Sequence, residues 1–195
     1  MALPITLPPP PPGGPQLPPV PEDGMLLHIG GKARTPGWTV YDIEAAPHVD
    51  ILGDCADMSA IPDASCAVVY ASHVFEHLGY DRDLPRCLAE CLRILKPGGR
   101  LLSSVPDLDV LCRLFVDKNS TFEDRYVIMK VMFGGRTTPH DIHHVGLSLD
   151  LMGSFLRAAG FSGGYRVAEF GLFDDSSSLR YYGVPVSLNL VSVKS

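Results

Sequence analysis

The sequence predicts an α/β fold: a mostly parallel sheet, doubly wound by helices and finished by an antiparallel C-terminal hairpin. Three observations point there. Short apolar runs alternate with segments of helical periodicity from Met25 to Gly160. One stretch, residues 66–106, reads as a complete strand–helix–strand unit. Two apolar runs, 165–173 and 184–193, then close the chain on either side of a polar loop.

Length and composition bound the function. The 195 residues suit one domain with a real core, and 46% apolar with 19% charged residues is a globular composition. The net charge of −6, with no basic run, argues against general nucleic-acid or anionic-membrane binding, which need a basic patch. No stretch reaches the roughly 18 apolar residues of a membrane span. Met1–Pro21 lacks the basic start and apolar run of a signal peptide. Cys55, Cys66, Cys87, Cys91 and Cys112 form no CxxC pair, and their odd number fits reduced, packed thiols in a cytoplasmic protein.

Residues 1–24 hold ten of the 18 prolines and form a leader expected to be extended or disordered, before a single domain over 25–195. Such a leader can serve as a ligand for a proline-recognising domain, or simply lie over or off the domain. LLHIG (26–30) reads as the first strand, GWTVYDI (37–43) as the second, and VDILGD (49–54) as the third. CAVVYAS (66–72) is a continuous apolar run, as expected of a strand buried on both faces. Leu84, Cys87, Leu88, Cys91, Leu92 and Leu95 recur at helical spacing, with Asp83 as N-cap and Pro97-Gly98-Gly99 as stop. RLLSSVP (100–106) is the fifth strand, and helices follow over 108–117, 121–134 and 148–160. Thr121 and Ser148 cap the last two, and Gly160 ends the final one.

In an open parallel sheet, ligands bind outside the carboxyl ends of the strands. Ser72, His73, Glu76 and His77 therefore mark where a site belongs. Asp42, near the end of the second strand, can accept from both hydroxyls of a ribose, and Asp54, after the third, from an exocyclic amine. Either aspartate is also a common strand-ending turn residue. Neither GxGxxG nor GxxxxGK[ST] occurs, so a pyrophosphate has no glycine-rich cradle. An adenosine ligand without phosphates fits better.

LHIGG, YDIEAAPHVDILGDCADM, SAIPDASCAVVYASHVFEHL and LAECLRILKPGGRLLSSVPD, in that order, resemble the core of the class I S-adenosylmethionine-dependent methyltransferases, closest to the type 11 branch. The resemblance implies a Rossmann-like sheet and S-adenosyl-L-methionine as cofactor. It implies that Gly30 and Gly31 approach the methionine part, Asp42 holds the ribose, and Asp54 takes the adenine amine beside the backbone of Cys55. Ala71, Ser72 and His73 would line the cofactor, with His77 behind them.

The chain departs from the family after its first strand. Only GKARTPG (31–37) separates strands that normally need a dozen or more connecting residues, so the first crossover helix is missing or reduced. The helix N-terminus that favours the cofactor carboxylate is then absent, leaving Lys32 or Arg34 to substitute. One sheet face also loses its cover, to be filled by the leader, by a partner chain as in a homodimer, or by nothing.

TPHDIHHVG (138–146) supplies the remaining candidates. Histidine suits a base that takes a proton from a methyl acceptor. His144 is the first candidate for that base, His140 the second, and Asp141 the residue to orient one of them. Histidine and aspartate are also ligand types, but HxxHH is no known zinc spacing, so no metal is assigned. A solvated or capping loop explains the same residues. The expected function is methyl transfer to a hydroxyl or amine of a small molecule or saccharide. A non-catalytic binding or regulatory module on the same fold is the alternative, and the missing phosphate loop disfavours a nicotinamide-dependent oxidoreductase.

Overall fold

A computed structural model describes residues 6–14 and 17–195. The strands in chain order are β1 (Met25–Ile29), β2 (Trp38–Asp42), β3 (Ile51–Leu52), β4 (Cys66–Ser72), β5 (Leu95–Pro106), β6 (Gly163–Val167), β7 (Arg180–Tyr181), β8 (Val184–Pro185) and β9 (Ser187–Val193). Four helices join them: α1 (Asp83–Ile94), α2 (Leu108–Val116), α3 (Phe122–Phe133) and α4 (Leu149–Ala159). Seven strands form one sheet in the order β3-β2-β1-β4-β5-β9-β6. The first five are parallel, and β9 runs antiparallel to both β5 and β6. The mostly parallel sheet, the C-terminal antiparallel pair and the missing first crossover helix all stand as the sequence predicts.

Several boundaries differ, each for a local reason. The third strand keeps only two residues. The run 165–173 is a strand only to Val167, after which Phe170, Leu172 and Phe173 fold onto the sheet. Asp83 is the first residue of α1 and not its cap. The LKPGG segment belongs to β5 rather than to a loop. Cys66 pairs with Leu95 and Val68 with Arg100, so residues 96–99 bulge out between them. Gly98 sits there at φ +78°, and a Cβ on it would lie 2.8 Å from the Pro19 carbonyl oxygen. The capping box of Thr121 with Asp124 and the left-handed Gly160 stop occur where expected.

Alternation along the strands produces two cores. Leu27, Ile29, Val69, Ala71 and Leu101 face Leu84, Cys87, Leu88 and Cys91 of α1 and Met152 and Leu156 of α4. The opposite face presents Leu26, Val68, Tyr70, Leu102 and Val191. No helix contributes a residue to this second cluster among the described residues. Its cover is Leu7 and Val20 of the leader together with Tyr165, Phe170 and Phe173. Proline offers carbonyl acceptors but no N–H, so side chains must hold such a strap. Tyr165 donates to Pro8 O, Arg100 donates to Pro18 O, and Lys96 pairs with Asp23 at 2.7 Å. A smaller cluster of Leu111, Ile128 and Val186 joins α2 and α3 to the end of the sheet.

His28 lies inside the second core, 6% exposed, with its ring centroid 4.9 Å from Tyr70 and 4.2 Å from Phe173. Burial pushes its pKa down from 6.5 to about 4. The unfolded chain therefore binds an extra proton between those values, and stability falls as pH drops from about 6.5 to 4. Integrated, this is on the order of 3 kcal/mol. His28→Phe removes the titration while keeping an aromatic ring. Denaturant unfolding of the variant should show a shallower loss across that window than the wild type; identical pH profiles would refute the assignment.

Candidate active site

The candidate site grows from the carboxyl end of β4, which is fully buried until Ser72. The chain then turns through His73 at φ +53°, a left-handed conformation that is strained for a side chain of this size. The turn is fixed on both sides. The His73 amide donates to Ser104 O on β5, and its ring Nε2 lies 3.0 Å from Ser187 Oγ on β9. A 3-10 turn, Phe75–His77, follows and drops Phe75 into the main core. Glu76 is thereby carried inside, with its side chain 1% exposed.

The histidine loop closes over this turn. His144 and Val145 both donate backbone N–H groups to Glu76 O, at 2.7 and 3.4 Å. His143 Nε2 then lies 3.9 Å from Glu76 Oε1, and its ring packs edge-on against His77 with centroids 4.7 Å apart. His73 Nδ1 is 3.2 Å from the same oxygen. Neither Glu76 oxygen receives a hydrogen bond among the described residues. Burial lowers the His143 pKa, partly offset by the neighbouring Glu76 charge.

The other predicted residues fall into three groups. Gly30, Gly31 and Asp42 sit at the ends of β1 and β2, on the side of the sheet edge where β4 also ends. Gly30 has φ +73°, and a Cβ there would meet Val74 Cγ2 at 2.7 Å. A Cβ on Gly31 would lie 2.9 Å from His28 Nδ1. Both glycines are thus already required by the protein's own packing. Asp42 accepts from the Glu44 amide through Oδ1, leaving Oδ2 without a hydrogen bond among the described residues. Half-exposed Ile43 adjoins it.

Asp54 is exposed and accepts the Ala56 amide through Oδ1, in the turn after β3. Tyr41 holds this turn by donating to Asp54 O at 3.0 Å, and its own pKa is raised to about 12 by burial. Cys55 is buried in the main core, near Cys87. Ala71 is fully buried, and the buried Ser72 Oγ lacks a partner.

In the loop, Asp141 binds no histidine ring. Its carboxylate accepts from Gly135 N, Thr137 N and Thr137 Oγ1, and the Thr137 amide bond is the largest cause of its lowered pKa. It shapes the turn that delivers His143. His140 is 57% exposed and 4.0 Å from Glu44, while the His144 side chain is exposed. The structure brings together His73, Glu76, His77 and His143; the sequence pattern placed His143 in the histidine loop without a role of its own and did not single out buried His28. A cavity of about 710 Å³ between α4, β6 and β9 includes none of the predicted residues. No helix is long and apolar enough to cross a membrane among the described residues.

Residues 35–103, spanning β2 to β5, match the family described as Methyltransferase domain. A probable S-adenosylmethionine-dependent methyltransferase of Mycolicibacterium smegmatis is 44% identical over 71 residues, or 35% of this chain. The match spans 26% of that curated relative's length. Among solved structures, a methyltransferase from Thermotoga maritima superposes with TM-score 0.56 at 20% identity, covering 89% of this chain and 83% of that one. One from Archaeoglobus fulgidus gives 0.57 at 15% identity, covering 88% and 86%. Both are S-adenosylmethionine-dependent methyltransferases. Residues 35–103 thus resemble a methyltransferase domain, on a chain that shares the fold of these S-adenosylmethionine-dependent methyltransferases.

Proposed function

We propose that this chain transfers a methyl group from S-adenosylmethionine to a hydroxyl or amine of a small molecule or saccharide. The observation that carries the reading is the strand order β3-β2-β1-β4 with Asp54, Asp42, Gly30 and Ser72 at successive carboxyl ends. That is where an open parallel sheet binds its ligand.

The residues present fit an adenosine ligand. Asp42 keeps one carboxylate oxygen for ribose hydroxyls, and Ile43 beside it offers apolar surface to a flat ring. Asp54 is exposed and able to accept from an amine. The buried, unpartnered Ser72 Oγ is a further polar atom at the end of β4. When bound, the cofactor supplies an electrophilic methyl group on a sulfonium. The protein's contribution is alignment of the acceptor and removal of its proton. His144, tethered through its backbone to the Glu76 turn yet with an exposed ring, is the proposed base, with His140 second. Asp141 acts on them by holding the loop.

One observation favours a second reading, a binding or regulatory module without turnover. The connection of β1 to β2 carries no helix, so no helix N-terminus faces the cofactor carboxylate, and Val74 and His28 crowd the two glycines.

Calorimetric titration of the full chain with S-adenosylmethionine and S-adenosylhomocysteine separates binding from its absence. Folded protein that takes neither at millimolar concentration ends the cofactor reading. Asp42→Ala should weaken binding by about 1.5–3 kcal/mol, the worth of a hydrogen bond to a charged group. Equal affinity would misplace the ribose. For the base, His144→Ala should lower kcat by about 100-fold or more with the cofactor Kd unchanged; normal turnover removes His144 from that role. A variant-independent lack of turnover in protein that binds the cofactor favours the module.

A further inference from the structure

The hydrogen-bond pattern around Glu76 forces an unusual electronic arrangement. Ring Nδ1 of His77 lies 3.1 Å from Ile142 O, and Nδ1 of His143 lies 3.2 Å from Met132 O. A carbonyl oxygen only accepts, so both Nδ1 atoms carry the hydrogen. Each neutral ring then presents a bare Nε2 lone pair. Ser187 Oγ donates its one proton to Ser176 O at 2.7 Å, so it receives from His73 Nε2–H. In its neutral form His73 therefore also presents a bare nitrogen, Nδ1, to Glu76 Oε1 at 3.2 Å. The buried Glu76 carboxyl, with no hydrogen-bond donor, thus faces His73 Nδ1 and His143 Nε2, with a ring nitrogen of His77 within 4.8 Å. Such a constellation is repulsive without a cation among its members.

We propose that Glu76, His77 and His143 form a binding site for a divalent transition-metal ion, with His73 Nδ1 as the adjoining nitrogen donor. The donor atoms of the three lie within 4.8 Å of one another. Metal–ligand bonds of about 2.0–2.1 Å in a tetrahedron separate donors by roughly 3.4 Å, so small side-chain rotations complete the site. The outer contacts match the chemistry: a ligating histidine characteristically gives its other N–H to a backbone carbonyl, as His77 and His143 do. Two imidazoles and one carboxylate select Zn²⁺ or a neighbouring first-row ion over Mg²⁺ or Ca²⁺, which prefer all-oxygen shells. Three protein ligands leave a fourth position for His73, water or an oxygen of a substrate.

The loop geometry is what makes the site. Asp141 closes the turn 135–141, and Gly134, at φ +86°, lies so near Asp141 O that a Cβ would stand 2.5 Å away. Together with the two amide bonds onto Glu76 O, these contacts hold His143 opposite the β4 turn. The site stands on its own contacts and does not depend on methyl transfer.

The full chain, stripped by a chelator, is titrated with Zn²⁺ by calorimetry and with Co²⁺ by visible absorption. The expected result is one ion per chain, with the intense visible bands of four- or five-coordinate Co²⁺. Glu76→Gln and His143→Ala should each weaken Zn²⁺ binding at least 100-fold, while His48→Ala, outside the cluster, leaves it unchanged. Folded wild-type protein that gives no Co²⁺ bands and takes up no Zn²⁺ overturns the proposal. So does unchanged Zn²⁺ affinity in both cluster variants, which marks adventitious surface binding. Circular dichroism checks each variant, and should one lose its fold, the wild-type Co²⁺ spectrum decides. Loss of metal binding with intact S-adenosylmethionine binding separates this site from the cofactor reading.

Discussion

Strand β4 is the constraint on which the molecule depends. It is paired on both edges, with β1 and β5, and is buried from Cys66 to Ala71. A strand so enclosed cannot shift register by one residue without exchanging the side chains packed in its two cores. Its end is therefore a fixed point, and the polar turn that follows inherits that precision. His73 is held left-handed by β5 and β9, and Glu76 is carried into the interior because Phe75 beside it packs in the core. The histidine loop is in turn registered on Glu76 through two amides. Chemistry at this end is positioned by the sheet rather than by loops alone.

The two sheet faces solve their burial differently. One is covered by α1 and α4, whose apolar stripes match the strand side chains. The other is covered by proline-rich chain and an aromatic layer in which His28 is embedded. A helix satisfies its own backbone, whereas an extended proline segment brings acceptors without donors. Tyr165 and Arg100 meet that need, and Arg100 does so at 5% exposure. The lowering of the Arg100 pKa by burial reflects the cost of placing a cation there.

The sheet was legible because its signals are local. A run such as CAVVYAS states its burial in its composition, and α1 states its face in its spacing. The missing crossover helix was legible as a count of residues. Boundaries such as LKPGG were not, since proline and glycine read as a stop while the actual feature is a bulge set by pairing with β4. The site was partly legible. His73, Glu76 and His77 stood out because strand ends are where ligands bind, yet His143 meets Glu76 across 67 residues of chain, and no local pattern encodes that meeting. Asp141 looked like a partner for a histidine by type; the amides of its own turn reach it first.

The leader's contacts also order events in time. Pro8 is bound by Tyr165, 157 residues further on, and Pro18 by Arg100, 82 residues further on. The leader, made before the sheet it covers, therefore has nothing to dock on until nearly the whole sheet has been made. Contacts of such sequence separation form late because the closure entropy must be met first. Until then the face containing His28, Trp38 and Tyr70 is open to water. A nascent chain of this protein passes through a stage in which half its sheet is finished on one side only.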